Sequence, residues 1–230
     1  MRGSDVIAVG LLKGQAGLFP SGMNGEVPFT NFEVMVLDLA YDKSVGIWGH
    51  DMNTGTWSFN PCSFERSVPG NLEIWVGGWD EGVPPDQFDI EYEVSGNVYW
   101  DNNAGYNYSL SPEAAQGGDG VQTVAIGPNV LVDGYQASAG NLDVQVLVKN
   151  ISFQKQVAIV YTTDNWLTYQ NAFGNFSRSF APPTTPHQLD TELWNITAPV
   201  PAGSTGQFAA FYNIAGVTYW DNNFGVNYSF

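Results

Sequence analysis

Apolar and polar residues alternate with the period of β-strands along much of the sequence. Residues 142–148 (LDVQVLV) and 88–94 (FDIEYEV) follow this pattern, and Gly, Asn or Pro bounds both segments. Residues 155–161 continue it, and residues 212–219 predict two strands that meet at a tight turn at Ala215-Gly216. A helical apolar period never extends beyond two turns. The sequence therefore predicts short, half-buried antiparallel strands.

One segment of this pattern occurs twice. Residues 96–110 (GNVYWDNNAGYNYSL) recur as residues 216–230 (GVTYWDNNFGVNYSF), and residues 36–45 align with residues 148–157. Such a repeat predicts two copies of one structural unit.

The segment between the copies is small and polar, as in a linker. We therefore predict a first domain at 1–110, a linker at 111–120 and a second domain at 121–230. About 110 residues of short strands, without helices to cover a parallel sheet, favour a β-sandwich for each domain.

Charge and composition narrow the possible partners. The 23 acidic residues against 7 basic ones give a net charge of −16, which would repel polyphosphates, so we expect neither nucleic acid nor a membrane as partner. Cys62 is the single cysteine and the chain has two histidines, so we expect no internal disulfide, metal site or cofactor. The apolar segment 6–12 is too short for a signal peptide, which predicts a cytoplasmic protein.

The sequence shows no arrangement of residues that is typical of a catalytic site. Asp101 and Asp221 recur, but inside a motif dominated by asparagine and tyrosine, and nothing pairs them as the two carboxylates of a glycosidase. The Gly-x-Ser-x-Gly nucleophile motif is absent from the sequence. We expect a protein without enzymatic activity.

The motif Tyr-Trp-Asp-Asn-Asn-x-Gly-x-Asn-Tyr combines aromatic rings with amides. A neutral sugar offers an apolar face to an aromatic ring and hydroxyl groups to amides. Neighbours on a strand face opposite sides, so one of Tyr99 and Trp100 can fill the core while the other stands at the surface. Two structural alternatives remain: all the aromatics are core residues, or the asparagines only cap a turn.

The second copy resembles the starch-binding modules of carbohydrate-binding module family 21, which occur in fungal glucoamylases and in glycogen-targeting subunits of protein phosphatase 1. The matching blocks are residues 148–157 (VKNISFQKQV), 161–166 (YTTDNW), 208–212 (FAAFY) and 219–228 (YWDNNFGVNY). The resemblance implies an immunoglobulin-like sandwich that binds α-glucan chains. It also implies stacking by Trp166 and Trp220, hydroxyl contacts by Asn150, Asn222 and Asn227, and a second platform at Phe153.

The first copy matches the family less well. It retains Trp100, Asn102 and Asn107, but Asp38 stands where the second copy has Asn150, and Tyr41 replaces Phe153. We interpret residues 53–57, which end at Trp57, as a longer version of the 161–166 block. An aromatic residue that some family members carry on the preceding strand falls at Ala209 and Asp89.

Taken together, the residues and the resemblance predict a non-enzymatic, lectin-like protein with two carbohydrate-binding modules for α-glucans. One alternative is a cytoplasmic fungal-type lectin that recognises the ends of non-glucan glycans. Another is a scaffold that recruits an enzyme to glycogen, for which the nearest docking segment, residues 43–47, lacks the expected aromatic residue. The oligomeric state is not predicted.

Overall fold

The computed structural model describes residues 8–20, 26–79, 84–110, 122–180 and 187–230. The predicted linker, residues 111–120, lies outside the described residues. Within these ranges the chain forms strands and no α-helix, and no helix there has the length and apolar character to cross a membrane. The chain divides into a first unit, Met1–Gly127 with Ala181–Gln188, and a second unit, Pro128–Phe180 with Leu189–Phe230.

The first unit consists of two antiparallel sheets. One has the strand order β10-β1-β2-β6-β5, and the other β4-β3-β7-β8, with β9 paired to β7. The strands are β1 (Val9–Pro20), β2 (Glu26–Leu37), β3 (Lys43–Asp51), β4 (Thr56–Pro61), β5 (Ser63–Val68), β6 (Leu72–Gly77), β7 (Gln87–Val94), β8 (Asn97–Asp101), β9 (Tyr108–Ser109) and β10 (Gln122–Ile126).

Among the described residues, the second unit repeats this arrangement without a counterpart of β10. Its sheets have the orders β11-β12-β16-β15 and β14-β13-β17-β18, with β19 paired to β17. The strands are β11 (Val130–Ser138), β12 (Asn141–Lys149), β13 (Gln156–Thr162), β14 (Gln170–Phe173), β15 (Asn175–Ser179), β16 (Thr191–Pro199), β17 (Gln207–Ile214), β18 (Val217–Asp221) and β19 (Tyr228–Ser229).

Alternating side chains build the core between the two sheets of each unit. In the second unit Leu142 and Val146 come from one sheet, Ile159 and Phe208 from the other, and all four are fully buried in one cluster. On β12 the alternate residues Asn141, Asp143 and Gln145 are exposed, as the period of two requires. The expectation of antiparallel β-sandwiches is thus confirmed.

The expected tight turn joins β17 to β18. Ala215 and Gly216 both have positive φ, at 48° and 87°, as a two-residue hairpin turn of the primed type requires. Ser95 and Gly96 form the same turn between β7 and β8, with φ of 51° and 76°. These hairpins carry Trp100 and Trp220 on their second strands.

Strand β10 belongs to the first unit, although it follows residue 120. It pairs with β1 from Lys13 opposite Ile126 to Gly17 opposite Gln122. Gly127 ends this segment where a Cβ atom would lie 1.8 Å from the carbonyl oxygen of Leu11, so only glycine fits. The chain therefore first passes from the first unit to the second between Gly127 and Pro128. The boundaries 1–110 and 121–230 stay a prediction about independently folding domains.

Candidate functional site

The aspartate of the repeated motif connects two strands of different sheets. The Asp221 carboxylate accepts hydrogen bonds from the Tyr228 hydroxyl at 2.9 and 3.0 Å and from the backbone N–H of Val132 at 2.7 Å. Asp101 accepts the corresponding bonds from Tyr108 at 3.0 Å and from the backbone N–H of Leu11 at 2.8 Å. Both aspartates therefore have a structural role.

The asparagines that follow shape a tight turn. Asn222 Oδ1 accepts from the backbone N–H of Gly225 at 3.0 Å, and Asn102 Oδ1 accepts from that of Gly105 at 2.9 Å. In the second unit Asn223 donates to the carbonyl oxygen of Asn227 at 3.1 Å. The turn-capping alternative thus describes Asn102 and Asn222, whose amide nitrogens remain as possible ligand donors.

An aromatic concavity lies on the outer face of the sheet β14-β13-β17-β18, which we call the second sheet face. Trp220 is 54% exposed, and its ring centre lies 5.3 Å from that of Phe211. The concavity has a volume of about 460 Å³ and is lined by Val160, Trp166, Tyr169, Asn171, Phe211, Thr218 and Trp220. The structure thus brings the predicted stacking residues Trp166 and Trp220 together.

A hydrogen-bonded loop presents Trp166 to this face. Its φ of 66° is unusual for a tryptophan. Asp164 holds the loop by accepting from the Thr168 hydroxyl at 2.7 Å and its backbone N–H at 2.9 Å, and these bonds lower the pKa of Asp164. The indole Nε1 of Trp166 donates to Gln207 Oε1 at 2.6 Å. The ring is therefore fixed before any ligand binds.

The corresponding face of the first unit, on β4-β3-β7-β8, is built from different side chains. On this first sheet face Trp100 is 48% and Trp57 39% exposed. The strand registers place Ser58 opposite Gly49 and Gln170 opposite Tyr161, so Trp57 occupies the position of Tyr169. The equivalence of Trp57 and Trp166 is therefore wrong, because Trp57 lies on β4 itself. Residues 53–55 lie in the turn between β3 and β4, as Trp166 lies between β13 and β14.

A second concavity in the second unit contains the other predicted residues. We call it the second groove; it has a volume of about 550 Å³ and is lined by Asn150, Ile151, Ser152, Phe153, Lys155, Phe176, Ser179, Glu192 and Trp194. Lys155 Nζ donates to Asn150 Oδ1 at 2.6 Å and to Glu192 Oε2 at 2.8 Å. The Trp194 indole donates to the same Glu192 oxygen at 3.0 Å.

The first unit has an equivalent first groove of about 740 Å³, lined by Asp38, Leu39, Ala40, Tyr41, Asp42, Lys43, Phe64, Glu73 and Trp75. Lys43 donates to Asp38 and, at 2.9 Å, to Glu73, which also accepts from the Trp75 indole at 2.9 Å. Burial alone would lower the pKa of Lys43, but the bonds to Asp38 and Glu73 outweigh it and raise this pKa. The ammonium group therefore stays charged.

A buried tyrosine positions the loop at the rim of each groove. Tyr212 donates to the carbonyl oxygen of Lys149 at 2.8 Å, and Tyr92 donates to that of Leu37 at 2.6 Å. The loops that follow carry Phe153 and Tyr41, whose side chains are 98% and 101% exposed. Aromatic rings held so far out of the core form ready contact surfaces for a ligand.

The predicted aromatic residues, together with Asp38 and Asn150, thus fall into two sites in each unit, whereas Asn102 and Asn222 shape turns. Several groove residues were missed. The missed groove residues are Lys43, Phe64, Glu73, Trp75, Lys155, Phe176, Glu192 and Trp194. The sequence held a signal for them: residues 73–75 (EIW) align with 192–194 (ELW) and residues 64–67 (FERS) with 176–179 (FSRS). These short blocks lie outside the segments that define the repeat.

Asp89 is a half-buried carboxylate on the first sheet face. Desolvation, and secondarily the nearby charge of Asp101, raises the pKa of Asp89 to about 6. With its amide nitrogen turned toward this carboxylate, Asn107 donates to its oxygens at 3.0 and 3.2 Å. The amide nitrogen that was predicted to contact a sugar is therefore already bonded to Asp89. The second unit has Ala209 at this position, and among the described residues the side chain of Asn227 has no hydrogen-bond partner.

Comparison with known proteins supports the resemblance of the second unit. Residues 128–230 match the model of the carbohydrate/starch-binding module (family 21). Glucoamylase 1 of Rhizopus oryzae is 28% identical over 102 residues, which are 44% of this chain and 16% of the glucoamylase. Protein phosphatase 1 regulatory subunit 3E of Mus musculus is 29% identical over 96 residues, which are 41% of this chain and 33% of that protein. The predicted family resemblance is thereby confirmed for this segment.

A solved structure of the starch binding domain of Rhizopus oryzae glucoamylase, in complex with β-cyclodextrin and maltoheptaose, aligns with 47% of this chain and 96% of its own. The sequence identity is 26% and the TM-score 0.36. The chain spans a third or less of the full length of the two relatives above.

Removal of the Glu192 carboxylate should destabilise the strands that form the second groove. Glu192→Ala leaves Lys155 as an uncompensated buried charge and the Trp194 indole without its acceptor, so we expect a loss of about 3–5 kcal/mol. Glu192→Gln keeps an acceptor and should cost less. Hydrogen exchange of the amides in β12 and β16 measures the effect, and β2 and β6 should stay protected. The matched variant Glu73→Ala should speed exchange in β2 and β6 and leave β12 and β16 protected. Unchanged exchange in both variants would contradict the role of the two carboxylates.

The raised pKa of Asp89 predicts a pH-dependent effect of Asp89→Asn. The folded state binds the Asp89 proton more tightly than the unfolded state, so ionisation above about pH 6 destabilises the fold, and this cost disappears below the unfolded pKa. We expect the variant to be more stable than the wild type by about 1 kcal/mol near neutral pH, a modest value because solvent screens a half-exposed group. Urea unfolding at about pH 7.5 and 3.5 tests this: the difference should vanish in acid, and a constant difference would refute the assignment.

Proposed function

We propose that this protein binds α-glucan chains without cleaving them, through the groove of each unit and the second sheet face. The observation that carries the proposal is the groove, which is built twice from a lysine, a glutamate, a tryptophan and a phenylalanine. The family match of residues 128–230 supports it, as does the maltoheptaose complex of the similar glucoamylase domain.

The second groove combines aromatic rings with a free amide donor, the two kinds of group that bind a sugar. Trp194 and Phe176 meet edge to face with ring centres 5.9 Å apart, and Phe153 stands opposite in solvent. A glucose unit can place its C–H face on these rings. Asn150 Oδ1 accepts a hydrogen bond from Lys155, so its amide nitrogen remains able to donate to a sugar hydroxyl.

The second sheet face offers a flatter surface. Its aromatic residues Trp166, Tyr169 and Trp220 line an open concavity whose polar residues, Asn171 and Thr218, are uncharged. A neutral oligosaccharide can stack there without desolvating a charge. Two sites on one unit can hold a single polymer more tightly than either site alone.

Targeting of an enzyme to glycogen is a second candidate function. The observation that favours it is the similarity to a regulatory subunit of protein phosphatase 1. This function requires a protein partner as well as the polysaccharide. Incubation with purified phosphatase catalytic subunit, in the presence and absence of glycogen, distinguishes it from a free-standing lectin.

The binding proposal predicts specific losses in titrations with maltoheptaose. Phe153→Ala and Trp220→Ala each remove one stacking surface of the second unit and should each cost about 1–3 kcal/mol at the affected site, by analogy with other aromatic platforms. Leu167→Ala removes an apolar side chain that is 85% exposed and lines neither site, so it should bind like the wild type. Equal affinity of all four proteins would contradict the proposal.

The difference between Asp38 and Asn150 predicts unequal grooves. Both accept a bond from the groove lysine, but Asn150 retains two N–H donors and the Asp38 carboxylate has none. A sugar hydroxyl oxygen is left unpaired in the first groove, at a cost of about 1 kcal/mol. Asp38→Asn should therefore tighten the first groove about fivefold, and Asn150→Asp should weaken the second. Isothermal titration of both variants measures this, and affinities that stay the same would show that neither side chain contacts the ligand.

A further inference from the structure

The two sheet faces differ at two central positions. In the second unit Ala209 pairs with Val160, and Phe211 pairs with Trp220. In the first unit Asp89 pairs with Trp48, and Glu91 pairs with Trp100. Cross-strand partners lie about 5 Å apart at their Cβ atoms. The first sheet face therefore holds two carboxylates between two tryptophans, at the place where the second has apolar side chains.

The tryptophans around these carboxylates form an extended aromatic surface. The Trp48 ring packs on Phe59 with ring centres 5.7 Å apart, and its Nε1 donates to Glu91 Oε2 at 2.9 Å. Trp100 and Trp57 are both exposed. Because the face of an indole ring attracts cations, the aromatic rings and the carboxylates favour the same kind of ligand group.

No cation of the protein neutralises this face in the part of the chain that the structure describes. Neither Asp89 nor Glu91 forms an ion pair there. His50, which lies one row further along β3, contacts Asp86 at 2.6 Å. Asp101, the other nearby carboxylate, is occupied by Tyr108 and the backbone N–H of Leu11. Two negative charges thus remain at the centre of an aromatic surface.

We propose that the first sheet face binds sugar units that carry a protonated primary amine, as in a glucosamine oligosaccharide. The ammonium group lies between Asp89 and Glu91, and the sugar ring stacks on Trp100. This inference rests on the proposed function of the two units in carbohydrate binding. According to this inference, the first sheet face binds a positively charged sugar and the second sheet face binds a neutral one.

The geometry favours an amino sugar over a neutral one. A neutral sugar over this face would cover Asp89 and Glu91 and give them only hydroxyl donors, while their charges lose contact with water. An ammonium group places one positive charge beside both carboxylates and can donate three hydrogen bonds. Half-burial raises the pKa of Asp89 to about 6, and a neighbouring ammonium group would lower this pKa by stabilising the ionised carboxylate.

Calorimetric titration of the full chain with four probes tests the inference: a glucosamine hexamer, its fully N-acetylated form, maltoheptaose and hexalysine. We expect the wild type to bind the glucosamine hexamer and to bind the acetylated form at least tenfold more weakly. Asp89→Asn and Glu91→Gln, which preserve shape and keep an acceptor, should each weaken the glucosamine hexamer about tenfold, the loss expected for one charged hydrogen bond. Asp143→Asn, which removes an exposed carboxylate from the second unit, should have no effect.

The outcomes separate this inference from the proposed function. Unchanged maltoheptaose binding by the Asp89 and Glu91 variants shows that both are folded and that the grooves work. Equal binding of the two hexamers, or equal binding by variants and wild type, overturns the inference, and so does tighter binding of hexalysine than of the glucosamine hexamer. A wild type that binds the glucosamine hexamer but not maltoheptaose contradicts the α-glucan proposal and leaves the charge assignment standing.

Discussion

A lysine ammonium group lies almost completely out of solvent in each unit, and the surrounding side chains are arranged to neutralise it. The side chains of Lys155 and Lys43 are 3% and 5% exposed, so each needs a charged partner within hydrogen-bond distance. A glutamate on the adjacent sheet, Glu192 or Glu73, supplies that charge. Its carboxylate also accepts the indole proton of a tryptophan two residues later. One electrostatic requirement thus fixes the lysine, the orientation of the tryptophan ring and the rim residue at position 38 or 150.

The grooves and the sheet faces have diverged to different extents because they depend on the fold differently. In the groove, the tryptophan shares its hydrogen-bond acceptor with the buried lysine, so loss of that acceptor would leave a buried charge. On the sheet face, residues such as Asp89 and Ala209 occupy outward positions of a strand whose inward positions already hold the core. Substitution there changes the surface and leaves the packing intact. We therefore expect ligand preference to differ between units at the sheet face more than at the groove.

The strands, the two-sheet architecture and the hairpin turns were predictable because period and turn chemistry are local properties. Strand alternation predicted that one member of each Tyr-Trp pair fills the core and the other stands at the surface. The structure packs Tyr99 and Tyr219 on the cores and exposes Trp100 and Trp220. The sequence alone could not identify Lys155 as buried, since a lone lysine beside a strand is usually solvated. Its partner Glu192 lies 37 residues away, and only the fold brings the two together. Asp89 looked like one more outward residue until the register placed it beside Trp48.

Strand β10 also affects how the chain is held together. Its residues follow the predicted linker, yet its hydrogen bonds go to β1, and Ala125 is buried in the core of the first unit. If a protease cut the chain between Leu110 and Gln122, the fragment that carries the second unit would still contribute an edge strand to the first. The two fragments would then remain together by strand complementation, and a denaturing gel would reveal the cleavage while gel filtration would not.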